Sequence, residues 1–385
     1  MIHIENKEEC CGCRACQQIC PKNCIDMIED EQGFAYPRVD ISKCIDCNLC
    51  VKKCPIINQE CEDRPIVTYA AKNKDKSVQQ SSSSGGVFTL LAQSIIKEGG
   101  VVFGAGFKED WTVVHVKAET AAELSLFKGS KYVQSNTASS YIVTKKILLE
   151  NRKVLYSGTP CQIAGLKLFL GKEYSNLITI DIICHGVPSP KIWKEYLNDI
   201  TQQQQVKITQ INFRDKSVGW VDFKLSIKGV VNNFEKNIVD EHHQQNIFMQ
   251  YFLRNVILRP SCYNCQFRNG KSHSDITLGD FWGIQSIKPE LFDNNGISAI
   301  IVNTKKGSDI IEQNKNGLQV VNVDYSDILG HNSSLSSSCY RPKIYQKFWE
   351  DYNSFGFKAL SKNRKSLKPG LLSRIFNRLK RFVKF

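Results

Sequence analysis

The stretch CCGCRACQQICP at residues 10–21 decides the fold of the N-terminal part, and CIDCNLCVKKCP at residues 44–55 repeats its pattern. Each stretch reads Cys-x2-Cys-x2-Cys-x3-Cys-Pro. Three thiolates at this spacing hold three corners of a 4Fe-4S cluster, and the fourth cysteine crosses to the other cluster. The spacing therefore predicts two clusters. Their ligands are Cys10, Cys13, Cys16 and Cys54 for one, and Cys44, Cys47, Cys50 and Cys20 for the other.

Two other interpretations of this two-cluster ferredoxin pattern fit the sequence less well. Disulfides belong to secreted domains, but residues 1–9 are polar and acidic, so no signal peptide is expected. Zinc sites favour pairs of Cys-x2-Cys over triplets. The remaining cysteines of this region, Cys11, Cys24 and Cys61, are interpreted as incidental.

The chain of 385 residues is too long for a ferredoxin alone, so a large second domain is expected. Sixteen cysteines without a signal peptide indicate a reducing compartment, hence a cytoplasmic protein. No apolar run approaches the length that spans a bilayer. The net charge is +13, but ten Lys or Arg residues and no acid follow Asp351. Because the body is therefore close to neutral, no nucleic-acid partner is expected.

The pattern along the chain predicts three parts: a two-cluster module at residues 1–60, a mixed α/β domain at 65–345 and a basic tail at 356–385. Strands are expected at 66–71, 101–107, 112–117, 153–157, 177–184 and 297–303, and residues 206–240 look strand-rich. Helices are expected at 87–97, 160–170, 190–199 and 242–257. The fold class is thus α+β or mixed α/β, with the strand order open.

Four further cysteines lie in distinctive local contexts of the large domain. Thr159 and Pro160 suit the N-cap and the first position of a helix, so Cys161 falls in the first turn, where the helix dipole favours a thiolate. Cys184 ends an apolar strand, and Cys262 and Cys265 form a Cys-x2-Cys pair. A third 4Fe-4S cluster, a structural zinc site, and a turn with buried free cysteines all remain open from these residues.

Two glycine-rich loops and one histidine are further candidates. Ser83, Ser84, Gly85 and Gly86 precede a predicted helix, whose free N–H groups suit a phosphate. The sequence Gly104-Ala105-Gly106 imitates a dinucleotide fingerprint, but Glu109 replaces the third glycine, so a Rossmann site is rejected there. His185 follows Cys184, and it is a candidate for a proton donor or for a structural role.

Several segments in fixed order resemble the beta subunit family of coenzyme F420 hydrogenase/dehydrogenase. They are SSSGGVF at 82–88, KGSKYVQS at 128–135, GTPCQ at 158–162, CHGVPS at 184–189, CYNC at 262–265 and SDITLGDFWG at 274–283. The resemblance covers most of residues 1 to about 310. Its own ferredoxin module and basic tail make the chain similar to stand-alone bacterial members.

The resemblance implies a flavin-binding core, with FAD as the usual flavin, beside an iron–sulfur cluster. It favours the third cluster on Cys161, Cys184, Cys262 and Cys265. By motif match, Ser83 to Gly86 and the Lys131 region, with Gln134, should touch the flavin, and Ser157, Gly158 and Thr159 should lie close to it. The chain would then be an iron–sulfur flavoprotein oxidoreductase with an unidentified organic or deazaflavin acceptor or donor.

Two other functions remain open. The chain is alternatively an electron-transfer subunit that serves a partner enzyme, in polysaccharide biosynthesis for some similar proteins, or a zinc-bearing interaction protein. Expected partners are ferredoxin or another redox protein and a small-molecule acceptor. In the tail, apolar residues recur at helical spacing among arginines and lysines over residues 371–384. This basic amphipathic pattern suits either peripheral binding at the inner face of the membrane or docking to a partner protein.

Overall fold

The computed structural model describes residues 1–59, 65–202 and 206–363. Its strands are β1 (Ile25–Glu29), β2 (Ala35–Val39), β3 (Val67–Asn73), β4 (Val101–Phe107), β5 (Val113–Ala118), β6 (Val154–Gly158), β7 (Leu177–Ile182), β8 (Lys207–Asp215), β9 (Lys224–Val231), β10 (Phe234–His242), β11 (Ile276–Asp280), β12 (Ser298–Val302) and β13 (Leu318–Asn322). Its α-helices are α1 (Ala15–Ile19), α2 (Leu49–Lys52), α3 (Lys76–Ser81), α4 (Val87–Lys97), α5 (Ser140–Leu149), α6 (Pro160–Leu170), α7 (Pro190–Gln202), α8 (Ile247–Leu253), α9 (Ile284–Ile287), α10 (Lys305–Asn314), α11 (Tyr325–His331), α12 (Tyr345–Phe355) and α13 (Lys358–Asn363).

The internal repeat of the N-terminal module appears as two short helices and one antiparallel strand pair. Strands β1 and β2 pair from Ile25 with Val39 to Glu29 with Ala35. Each cysteine run enters its helix, α1 or α2, through a residue in the left-handed conformation, Arg14 (φ 63°) or Asn48 (φ 56°). These two residues hold the same position in the repeated pattern, so the repeat in sequence is also a repeat in backbone geometry.

The large domain is built on an eight-stranded mixed sheet in the order β13-β3-β12-β11-β7-β6-β4-β5. Strands β4, β6, β7 and β11 run parallel, and the pairs at both edges are antiparallel. Helices α5 and α6 pack on one face of this sheet, and α4 and α10 on the other. The parallel strands place their carboxyl ends at one edge of the sheet, where open α/β sheets bind ligands.

A second hydrophobic core packs the antiparallel sheet β8–β9–β10 against helices α7, α8, α12 and α13. Buried aromatic side chains of α7, α8 and α12 meet there, among them Trp193, Tyr251 and Phe348. The Tyr251 hydroxyl donates to the carbonyl of Leu360 in α13 at 2.7 Å. The first part of the predicted tail therefore packs on the domain, and the amphipathic pattern at 371–384 lies outside the described residues.

Most predicted elements occur, but the helix expected at 242–257 is wrong at both ends, since the observed helix covers only Ile247–Leu253. Strand β10 continues to His242, which pairs with Lys224 of β9. The side chain of Asn246 then accepts a hydrogen bond from the N–H of Met249, so α8 begins only at Ile247. Within the described ranges, no helix combines the length and the apolar character that crossing a bilayer requires.

Candidate functional site

The eight cysteines of the N-terminal module form two groups that exchange their last members. Cys20 lines a small cavity with Cys44, Cys47 and Cys50, which we call the second sulfur set. Burial raises the pKa of Cys16 to about 12, and the nearby sulfurs of Cys10 and Cys54 make a smaller contribution in the same direction. Cys13 is close to Cys16 and Cys54 as well. We call Cys10, Cys13, Cys16 and Cys54 the first sulfur set.

The two sets differ in their access to solvent. Cys47 of the second set is exposed, whereas Cys13 of the first set is buried. Cys50 of the second set is also buried, so the second set reaches solvent through Cys47. The first set faces the large domain, since Cys13 packs with residues of α5 and α6. Two of the cysteines interpreted as incidental lie beside these sets: Cys24 has its Sγ 3.4 Å from that of Cys20, and Cys11 is buried beside Cys13. Cys61 lies outside the described residues.

The four cysteines of the large domain also come together, and we call them the third sulfur set. They are Cys161, Cys184, Cys262 and Cys265. Burial raises the pKa of Cys262 well above its ordinary value, and the neighbouring Cys184, Cys265 and Cys161 raise it further. Burial likewise raises the pKa of Cys184 to about 12. Metal coordination would offset this cost of deprotonation, so the donor set suits a thiolate-bound metal centre.

Main-chain hydrogen bonds between the segment after Cys184 and the segment before Cys262 bring these two cysteines close together. The N–H of Arg259 donates to the carbonyl of Val187 at 3.0 Å, and the N–H of Ser189 donates to that of Ile257 at 2.9 Å. Gly186 has φ 149°, and a Cβ there would lie 2.8 Å from a methyl of Leu258 and 3.4 Å from the Cβ of Cys262. The glycine of CHGVPS thus permits the two loops to approach closely.

Cys161 lies in the first turn of α6, as its sequence context predicts. Pro160 begins the helix, and Gln162 reaches back to accept the N–H of Thr159 at 3.0 Å. A hydrogen bond with Cys11, together with burial, raises the pKa of Cys161 well above its ordinary value, which opposes the effect expected of the helix dipole. Across the described ranges, no three Cys, His, Asp or Glu side chains converge at the distances of a single metal ion.

Arg259 joins the first sulfur set to the large domain, a role that the sequence analysis missed. Its guanidinium is buried and donates to the carbonyl of Cys10 at 2.6 Å, the side-chain oxygen of Gln134 at 3.0 Å and the carbonyl of Ala35 at 3.0 Å. One amino group also lies 3.4 Å from the Sγ of Cys10. The guanidinium covers the ring of Tyr36 at 4.4 Å. Gln134, predicted to touch a flavin, instead belongs to this contact.

Arg268 has a matching place beside the third sulfur set. It is 7% exposed, and one amino group donates to the carbonyls of Cys184 and Ser334. Arg259 lies three residues before Cys262, and Arg268 lies three residues after Cys265. The symmetric spacing of two arginines about the Cys-x2-Cys pair is the sequence signal that could have singled them out.

A cavity of about 660 Å³ opens at the carboxyl ends of β4, β6, β7 and β11. Its volume lies within the usual range of small-molecule pockets. It is lined by residues of five resemblance segments, including Ser83, Ser84, Gly86, Lys131, Ser157, Gly158, Thr159, Cys184, His185 and Asp280. Of the predicted flavin contacts, Gly85 and Gln134 do not line it. Since Cys184 does, the third sulfur set borders the cavity.

The serine-rich loop and the KGSKY segment meet at the wall of this cavity. The N–H of Ser130 donates to the Ser83 hydroxyl at 2.7 Å. Gly86 precedes α4 with φ 80°, and no side chain caps the first turn of that helix. Gly85 lies beneath, where a Cβ would meet the carbonyl oxygen of Ala71 at 2.4 Å. The uncapped N–H groups of α4 therefore adjoin the cavity and suit an anionic group.

Lys131 supplies positive charge to the same wall. Its ammonium donates to the carbonyls of Leu126 at 2.8 Å and Lys128 at 3.1 Å. Desolvation lowers the pKa of Lys131 to about 7. The side chain is therefore charged below about pH 7 and increasingly neutral above it, unless an anion enters the cavity.

Two histidines line the cavity near the sulfur sets. The Nδ1 of His115 lies 2.9 Å from the Ser135 hydroxyl, and its Nε2 lies 3.0 Å from the carbonyl of Ser157. Burial lowers the pKa of His115 to about 4, so the ring is neutral at pH 7. His185 packs edge-on against Phe252 at 5.3 Å. Although His185 was a sequence candidate, His115 was not, because its isolated position on a strand gave no signal.

A buried ion pair lines part of the cavity. Arg214 is 3% exposed, pairs with Asp280 at 3.2 Å and lies over the ring of Phe223 at 4.0 Å. The indole N–H of Trp220 donates to the other oxygen of Asp280 at 2.8 Å, and Trp282 stacks on Trp220 at 4.9 Å. The GDFWG segment thus contributes aromatic and charged groups beside the serine-rich loop, since an amino group of Arg214 also lies 3.5 Å from the carbonyl oxygen of Ser83.

Comparison with known families gives a match over nearly the whole described domain. Models of the coenzyme F420 hydrogenase/dehydrogenase beta subunit match at residues 68–142 for the N-terminal region and 151–326 for the C-terminal region. A 4Fe-4S dicluster domain matches at residues 9–56. The chain belongs to the coenzyme F420 hydrogenase/dehydrogenase beta subunit family. It is an iron–sulfur member of this oxidoreductase family, with 4Fe-4S clusters in its N-terminal module.

Individual relatives cover the chain in part. An uncharacterized ferredoxin of Methanocaldococcus jannaschii is 36% identical over 52 residues, which is 14% of this chain and 66% of the ferredoxin. An uncharacterized protein from the rpl9-rpl11 intergenic region of Porphyra purpurea is 33% identical over 57 residues, which is 14% of this chain and 76% of that protein. A chain of the F420-reducing nickel–iron hydrogenase complex from Methanosarcina barkeri has a TM-score of 0.44 and 16% identity, covering 79% of this chain and 92% of that one.

Proposed function

We propose that this protein is an iron–sulfur flavoprotein oxidoreductase that passes electrons between its N-terminal clusters and a flavin in the 660 Å³ cavity. The observation that carries the proposal is the position of the third sulfur set. Its Cys161 contacts Cys11 beside the first set, and its Cys184 lines the cavity. The three sets and the cavity therefore follow one another from the exposed Cys47 inward.

The third sulfur set is proposed to hold a 4Fe-4S cluster through Cys161, Cys184, Cys262 and Cys265. Such clusters transfer single electrons at potentials that charge, hydrogen bonding and solvent access set. Arg259 and Arg268 place positive charge beside the first and third sets. Zinc on the same four thiolates is the alternative that metal analysis distinguishes.

The chemistry of the cavity suits a flavin, with FAD proposed. A bound flavin accepts electrons singly and delivers them in pairs. Lys131 and the first turn of α4 would bind its phosphate groups, while Val87, Phe127 and Ile182 offer apolar wall to its ring. Gly158 lies on the same wall, and a Cβ there would come within 3.4 Å of the Nε2 of His115. His115 would contribute a neutral imidazole ring to this part of the cavity wall.

The polar residues at the cavity would position reactants and hold protons. The His115 Nε2 donates to the carbonyl of Ser157, which fixes the loop that leads to Cys161. His185 lines the cavity beside Cys184. An organic acceptor, or a deazaflavin such as coenzyme F420, would enter opposite Arg214 and Trp282. The electron donor is proposed to be a redox protein.

Iron, acid-labile sulfide and flavin per chain, measured on anaerobically purified protein, test this proposal. About twelve irons with one flavin support it. About eight irons without flavin would leave the N-terminal clusters alone and overturn the proposal for the large domain. The second candidate is a relay subunit, which the family name favours. A relay subunit would exchange electrons with a partner enzyme but would not turn over coenzyme F420 or another acceptor by itself.

A further inference from the structure

A second concave surface lies where the N-terminal module meets α6, outside the cavity described above. Its volume is about 520 Å³. Four lysines line it. Lys53 belongs to the module, Lys167 lies in α6, Lys172 follows α6, and Lys271 lies in the loop before β11. We call this surface the lysine cleft. We propose that the lysine cleft docks an acidic one-electron carrier protein, an inference that rests on the proposed function.

Among the described residues that line the cleft, most of the charge is positive. Glu173 is the single carboxylate among its described lining residues, and it is shared by Lys167 at 3.2 Å and Lys306 at 3.4 Å. The ammonium of Lys53 approaches the C-terminal end of α6, where a Cβ on Gly171 would lie 2.6 Å from it. Because the body of the chain is otherwise close to neutral, this concentration of lysines would steer an acidic partner.

Part of the cleft wall is apolar. Pro55, Ala164, Leu168 and Phe267 line it together with the lysines and several neutral polar side chains. Protein–protein interfaces combine such apolar contact area with charged groups, and the charged groups set the rate of encounter.

The position of the cleft suits electron entry. Pro55 follows Cys54 of the first sulfur set, Ala164 lies on α6 three residues after Cys161, and Phe267 lies two residues after Cys265. Helix α6 also packs on the first set, since a Cβ on Gly165 would lie 3.0 Å from the Sγ of Cys13. A carrier in the cleft would therefore lie over the junction of the first and third sets. At each encounter the carrier loses one electron and the protein gains one, with no bond formed and no proton transferred.

The test uses the anaerobic holoprotein and a reduced plant-type 2Fe-2S ferredoxin as an acidic probe. Stopped-flow absorbance gives the second-order rate constant of ferredoxin oxidation at several ionic strengths. The rate should fall steeply with salt for the native chain. The double variant Lys53→Gln, Lys172→Gln should lose about ten-fold at low salt and show a shallower slope, with the two rates converging at high salt.

Matched controls separate docking from other effects. The double variant Lys108→Gln, Lys236→Gln removes two exposed lysines outside the cleft and should react like the native chain. Methyl viologen radical, a small cationic reductant, should reduce all three proteins without loss of rate. Failure of methyl viologen to reduce the third sulfur set would count against the proposed function. Normal reduction by methyl viologen, with identical ferredoxin rates in both double variants, would overturn the docking proposal alone.

Zero-length carbodiimide coupling provides a second measurement that does not depend on rates. Ferredoxin carboxylates should couple to Lys53, Lys167, Lys172 or Lys271, as located by mass spectrometry. Coupling confined to the lysines around the exposed Cys47 would place the carrier at the second sulfur set and overturn the proposal. Protection of the cleft lysines by inorganic phosphate, with no effect on ferredoxin rates, would identify a small-anion site instead.

Discussion

Replacing Arg259 with methionine should loosen the contact between the N-terminal module and the large domain. Methionine keeps most of the side-chain volume but donates no hydrogen bond. The carbonyls of Cys10 and Ala35 and the side-chain oxygen of Gln134 would then lose their donor in a buried place. Each unsatisfied buried acceptor costs about 1–3 kcal/mol. Three such losses amount to at least ~3 kcal/mol, a large share of the stability of a typical domain.

Hydrogen exchange on the anaerobic holoprotein measures this opening locally. The peptides that contain Cys10 and Ala35 should exchange roughly 150-fold faster in Arg259→Met, since every 1.36 kcal/mol is a factor of ten. Arg259→Lys keeps the charge but not the planar guanidinium, so its exchange rates should lie between those of the native chain and Arg259→Met. Arg152→Met removes a half-exposed arginine that bonds Gly99 and Glu119, and exchange in the module should not change.

Exchange at these peptides in Arg259→Met within about three-fold of the native rate, which corresponds to ~0.7 kcal/mol, would refute this role of Arg259. A uniform increase over the whole chain would also count against it, because that result indicates global destabilisation. The predicted pattern is local: Cys10, Ala35 and the Gln134 segment should open together while α4 and β12 remain protected.

Three other changes have distinct expected outcomes. Cys262→Ser should lower iron from about twelve to about eight per chain, whereas Cys339→Ser should leave it unchanged; zinc lost in place of iron would show that the third set is a zinc site. Desolvation lowers the pKa of Lys131 to about 7, so the affinity for FAD should fall as the pH rises above about 7, when the unliganded ammonium loses its proton. In calorimetric titrations, Lys131→Gln should flatten this pH dependence and Lys128→Gln should retain it. Gly86→Ala and Gly99→Ala both place alanine at a positive φ (80° and 74°), so each should lower the free energy of unfolding by about 1 kcal/mol. Only Gly86 adjoins the cavity, so only Gly86→Ala should weaken FAD binding. Equal effects of the two changes on FAD binding would contradict the proposed site.

The sequence predicted the local elements of the parallel core well. Helix α6 runs from Pro160 to Leu170 as expected, because Thr159, Pro160 and Gln162 give a strong start and Gly171 a clear end. Helix α4 and the β4–β5 pair also occur where their patterns indicate. These features depend on residues a few positions apart, where propensity and capping dominate.

Features that depend on distant residues could not be predicted in the same way. The order of eight strands follows from packing across the whole domain. The role of Arg259 depends on carbonyls of Cys10 and Ala35, more than 220 residues earlier in the chain. The helix expected at 242–257 failed because pairing of β10 with β9 extends the strand to His242, a tertiary contact that overrides the local pattern.

The loop pairing around Cys184 and Cys262 has a consequence for how the protein matures. The first 55 residues contain every sulfur of the first and second sets, so that module can take up iron while the ribosome is still making the rest of the chain. The third set draws on residues from 161 to 265, and the clamp of Arg259 on Cys10 forms late as well. The N-terminal clusters would therefore lack their contact with Arg259 until residue 259 emerges from the ribosome.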